Sequence, residues 1–221
     1  MIEVKYKSWN QVPISLYYEI VDITGREDLE PIDKNVKLIS LLSDTYEDEV
    51  WSLGMNEAEK VFSQLQWLWS FNFPKNDPGK KMKIGDRTFT LSTDLQKFTI
   101  SQYIDFQNLW HSFKDNEEQV LPQLLAVFLV PEGRKYNTDY DTTELSNFFF
   151  SRMPITTANQ VLYFFLLSLA RSIRATEICY TVMMKILRRK AKTKEEKEKI
   201  KMLEKETLKL INQAQHILGF L

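Results

Sequence analysis

Apolar residues recur at spacings of three and four along most of this chain and alternate in only two short stretches. Ile14, Leu16, Tyr17, Ile20 and Val21 fit one helix face, which Pro13 opens and Thr24-Gly25 closes. Asp33 is placed to cap a second helix, Lys34 to Leu42, with Val36, Ile39 and Leu42 inward. Ala58, Val61, Phe62, Leu65, Leu68 and Trp69 mark a third, running from Asn56 toward the break at Pro74. Met82, Ile84, Thr88, Phe89 and Leu91 predict a β-hairpin that turns at Gly85-Asp86. A short strand is also expected over residues 2–7, IEVKYK.

Beyond the hairpin the pattern is helical again. Thr99 caps a helix from Ile100 to Phe113, with Tyr103, Ile104, Phe106 and Leu109 as the inner face. Asp115-Asn116 cap another from Glu117 to Val130, with Pro122 near its first turn, where proline costs least. Residues 131–141 read as a polar surface loop. Thr142 starts a helix through Phe150 that ends at Pro154.

Thr156 and Thr157 then cap the longest helical pattern, to about Ala191, which is roughly 50 Å at the helical rise per residue. A helix that long needs a partner surface. Ile200, Leu203, Thr207, Leu210, Ala214, Ile217 and Leu221 supply a heptad-like stripe, with Thr193 and Glu196 spaced as a capping box. The pattern predicts a mainly α fold. A multi-helix domain over 1–155, with a hairpin near 82–92, precedes a long helical hairpin over 156–221.

Composition fits that picture. Of 221 residues, 43% are hydrophobic and 27% charged, enough for a packed core, and 6 Gly with 7 Pro argue against low complexity. The net charge of -1 hides an asymmetry: residues 185–209 hold eleven Lys or Arg against five Glu, so they carry +6 and the rest -7. A solvated helix face accounts for this, with pairs such as Glu195 and Lys199. Docking on an acidic partner or contact with nucleic acid through Arg188, Arg189, Lys190, Lys192 and Lys194 are the functional alternatives. The lone Cys179 excludes an intrachain disulfide and points to a reducing, intracellular setting. No secretory signal is visible at the start, and the longest apolar run, Val161 to Ala170, is too short to span a membrane. A soluble protein is expected.

Candidate chemistry is sparse. His111 and His216 lie on different helices with no metal-ligand spacing, and Cys179 sits in an apolar stretch. No G-x-S-x-G elbow and no glycine-rich phosphate loop occurs; Pro78-Gly79-Lys80-Lys81 lacks the upstream glycine. Asn137-Thr138-Asp139-Tyr140-Asp141 lacks the glycine and glutamate of a calcium loop and suits a turn or helix cap. No catalytic residue, cofactor or metal is expected. Aromatics say more. On a helix Trp67 and Trp69 point about 200° apart, so one of them serves a second surface. The expected docking residues are Trp67, Trp69, Phe73 and the stripe positions Ile200, Leu203, Leu210 and Ile217.

The order of short motifs resembles that of small proteins encoded in the virion gene blocks of tailed phages of Bacteroidetes (crAss-like). Ser8-Trp9-Asn10-x-Val12-x-Ile14-x-x-Tyr17 is similar to their W-(D/N)-x-(I/V)-x-(I/L)-x-x-(Y/F) opening. Ile84 to Phe89, Phe98 to Asp105, Leu121-Pro122, Val130 to Gly133 and Tyr136-Asn137 are similar too, so the likeness covers about residues 10–155. It implies a virion structural or connector protein, or an assembly chaperone, in the particle or the host cytoplasm. Its partners would be other virion proteins or copies of itself, with no membrane and no transferable catalytic motif.

Overall fold

The structure, a computed structural model, describes residues 2–72, 74–92, 97–113, 116–136, 139–169 and 171, with 198 and 202 besides. Helices α1 (Ile14–Gly25), α2 (Pro31–Ser43), α3 (Glu47–Trp51), α4 (Met55–Ser63), α5 (Ile100–Phe113), α6 (Glu117–Phe128) and α7 (Thr142–Arg152) accompany a small sheet of β1 (Lys81–Ile84), β2 (Arg87–Leu91) and β3 (Leu129–Pro131). Residues 155–169 are helical as well. The fold is mainly α. The chain divides into two compact units, residues 1–92 with 97–162, and residues 93–96 with 163–221. The first part of the expected C-terminal hairpin, residues 156–169, is thus helical, and apart from 171, 198 and 202 the rest of it lies outside the described residues.

Helix α6 is the axis of the first unit. Val120, Leu121, Pro122 and every residue from Leu124 to Phe128 are buried. A helix apolar over most of its surface must be largely enclosed, and α6 packs against α5, α7 and α1. Pro122 lies in the second turn of α6, one turn deeper than the sequence suggests. Its missing N–H forgoes the bond to the carbonyl of Glu118, an exposed residue that water can reach.

The hairpin forms where the alternation places it. Ile84 pairs with Arg87 and Met82 with Phe89, antiparallel. Gly85 opens the two-residue turn at φ +58, the left-handed region that a first turn position of this kind requires. Gly85→Val is expected to cost more than about 1 kcal/mol, seen as a lower urea midpoint.

A third strand went unforeseen. Helix α6 stops at Phe128 rather than Val130, and Leu129–Pro131 pairs antiparallel with β2. Proline is tolerated there because β3 is an edge. Several other elements differ from expectation. Residues 2–7 form no strand, with bends at Lys5 and Lys7. The Val4 N–H donates to Gln64 Oε1 and the Lys5 N–H to the Leu42 carbonyl. Asp33 lies in the first turn of α2 and does not cap it, because Pro31 already starts the helix. Thr156 and Thr157 lie inside a helix that begins at 155, where the Ala158 N–H reaches the Pro154 carbonyl.

The inner face of α5 is also shifted. Gln102 and Phe106 are buried, while Tyr103 and Ile104 are exposed and Ile100 is 82% exposed. Thr99 and Gln102 form a reciprocal capping box: Thr99 Oγ1 accepts from the Gln102 N–H and Gln102 Oε1 from the Thr99 N–H. The Gln102 amide then donates to the Val127 carbonyl at 3.1 Å, tying α5 to α6. A polar side chain with every group satisfied has displaced the apolar ones from the seam.

Two prolines close the first unit. Pro13 and Pro154 face each other in an antiparallel bridge. Neither has an N–H, and neither needs one. The Ile14 N–H donates to the Met153 carbonyl at 3.0 Å and the Ile155 N–H to the Val12 carbonyl at 2.9 Å. Val12, Ile14, Met153 and Ile155 are all buried beside them.

Candidate docking surface

The aromatic segment after α4 departs from the expected continuous helix. Helix α4 ends at Ser63, and Gln66–Trp69 form a separate 3-10 turn. The ladder tightens first, with Gln64 N–H to Val61 and Leu65 N–H to Phe62. The side chain of Gln64 is occupied elsewhere: it accepts from Val4 and donates to the Ile2 carbonyl.

The 3-10 turn sorts its two tryptophans. Trp67 turns inward to Trp9, with ring centroids 5.2 Å apart at 76°. Trp9 also meets Phe71 at 5.1 Å and Tyr17 at 5.8 Å, both edge to face. Each contact sets the positive edge of one ring against the negative face of another. Trp9 itself comes from a 3-10 turn, Trp9–Gln11, and Tyr17 from α1. Two segments far apart in sequence thus build one rigid aromatic platform.

Trp69 points the other way. It is 73% exposed and makes no ring contact among the described residues, and Phe71 beside it is 38% exposed. A large rigid ring held in water by a braced neighbour suits a binding anchor, since burying it gains apolar area at little entropy.

Tyr18 stands against Tyr17, 5.2 Å between ring centroids. Burial is the main cause raising both phenols above their ordinary range, and the charge of Glu117 adds to it. Tyr136 and Tyr140 are raised as well, chiefly by burial, Tyr136 also by Asp105. The unfolded chain releases these protons near pH 10, whereas the folded chain holds them. Their contribution is therefore full below about pH 10 and lost as pH rises beyond it. The urea midpoint is expected to fall clearly between pH 9 and pH 11, with a slope steeper than one tyrosine gives.

The docking residues expected from the sequence are thus partly placed. Trp69 is outward, Trp67 braces it from inside, and Phe73 lies outside the described residues. So do Ile200, Leu203, Leu210 and Ile217, the basic positions Arg188, Arg189, Lys190, Lys192 and Lys194, and Cys179 and His216. The sequence pattern did not reveal Trp9, Tyr17 and Phe71 as parts of the same surface. His111 is exposed in the last turn of α5. Among the described residues no three His, Cys, Asp or Glu side chains gather as a metal site. Among them, too, no helix is long and apolar enough to cross a membrane.

No family model matches the chain, and no curated protein or solved structure does.

Proposed function

We propose that this protein is a non-enzymatic structural or connector component of a tailed-phage particle, acting through protein–protein interfaces. The observation that carries the reading is Trp69, left in water on a platform of Trp9, Trp67 and Phe71. Aromatic anchors on rigid supports dominate binding energy at interfaces. The exposed apolar positions Ile100, Tyr103 and Ile104 on α5 add surface of the same kind. The resemblance to virion gene-block proteins supplies the setting, and two of its motif residues, Trp9 and Tyr17, belong to the platform. The partners are other virion or assembly proteins, or further copies of this chain.

Mass spectrometry of purified particles tests the reading, with the chain expected in mature virions. A chain found in complexes from infected-cell lysate yet missing from particles would instead make it an assembly chaperone.

A further inference from the structure

A cleft of about 370 Å³ lies between α5, α6 and α7, with Tyr136 on its wall. Leu109 and Val127 are its aliphatic lining, and Ser146 lines it too. Ser146 is only 8% exposed, and its hydroxyl makes no hydrogen bond to the protein. Among the described residues it is the one buried serine. Ser43, Ser112 and Ser151 each donate to the carbonyl one helical turn earlier, at Ile39, Asn108 and Asn147. Ser146 has such a carbonyl at Thr142 and does not use it. Nor is its hydroxyl sealed from solvent, as those of Tyr18 and Tyr140 are. Its residual exposure is to the cleft, where a ligand can supply the missing partner.

The rim defines the kind of ligand. Asn108, Gln123 and Asn147 each offer an amide donor and an amide acceptor, and Thr142 and Thr143 add hydroxyls. Asp105 contributes a carboxylate, on which the Tyr136 hydroxyl already sits at 2.7 Å. Among the described lining residues there is no Lys, Arg or His. An anion would meet a carboxylate and no counter-charge. A cation would meet one carboxylate, shared with a phenol, and otherwise neutral groups. A ring carrying several hydroxyls meets paired donors and acceptors beside an aliphatic lining. We infer that this cleft binds a neutral sugar, whose hydroxyls bond to Ser146, Gln123 and Asn147 while a C–H face rests on Leu109 and Val127. The site is distinct from the Trp69 corner and does not depend on the assembly reading.

Saturation-transfer NMR on the full chain tests this with glucose, galactose, mannose, N-acetylglucosamine and their methyl glycosides. Agmatine and glucose 6-phosphate are the cationic and anionic controls. At least one neutral sugar is expected to bind saturably, with Kd of order 1 mM. Gln123→Ala with Asn147→Ala, both on exposed positions, is expected to weaken it about tenfold or more without moving the thermal midpoint. Ser146→Ala should weaken it too. Binding of a methyl glycoside identifies the terminal residue of a glycan as the ligand, and binding of the free sugar alone identifies a monosaccharide. Three results each overturn the proposal: no neutral sugar bound at about 50 mM, sugar binding unchanged in the double variant, or agmatine bound as tightly as the best sugar.

Discussion

Trp9→Ala is expected to lower the unfolding free energy by about 3–5 kcal/mol, the range for deleting a large buried ring. Trp9 touches Tyr17, Trp67 and Phe71, so its loss empties the centre of the platform. Urea denaturation reads the effect directly. Trp9→Phe separates packing from polarity. The Trp9 indole N–H is buried without a protein partner, so phenylalanine removes an unsatisfied donor and keeps most of the ring. Its cost is expected to stay below about 1.5 kcal/mol. A Trp9→Ala protein as stable as wild type would mean that the platform is not a packed unit.

Trp69→Ala should do the reverse. The ring touches no other ring among the described residues and is mostly in water, so stability should stay within about 0.5 kcal/mol of wild type. Binding should weaken by about 2 kcal/mol or more, roughly thirtyfold. Quantitative mass spectrometry of particles grown with the variant reads this as a loss of incorporated chain. Equal incorporation with an unchanged urea midpoint would show that the corner is not a contact.

How much of this was readable beforehand depends on how local each signal is. The β1–β2 turn was legible because Gly85 sits where the backbone needs a positive φ and alternation flanks it on both sides. The start of α5 was legible because Thr99 is a side-chain cap for its own neighbour, three residues away. Strand β3 was not, because Leu129 and Val130 continue an apolar helix without a change of period, and the partner strand lies about 40 residues earlier. The inner face of α5 was misjudged for a related reason. Gln102 is polar by composition, and only the Val127 carbonyl from another helix makes its burial tolerable.

The docking surface was half legible. Spacing alone separates Trp67 from Trp69, and the structure does turn them apart, although through a 3-10 turn rather than an α-helix. That Trp9 braces Trp67 could not be read, since the contact joins positions more than fifty residues apart. The residue pattern around Ser146 was equally silent. A serine that leaves the carbonyl behind it unused is recognised only once its neighbours' bonds are known.

The bridge between Pro13 and Pro154 sets an order of events during synthesis. Val12 and Ile14 leave the ribosome about 140 residues before the Met153 and Ile155 that receive them, seconds apart at ordinary translation speed. Until then the Val12 carbonyl and the Ile14 N–H lack these partners, and the leading end of α1 rests on the aromatic platform alone. The bridge can therefore close the first unit only once the late Met153-Pro154-Ile155 segment has been made.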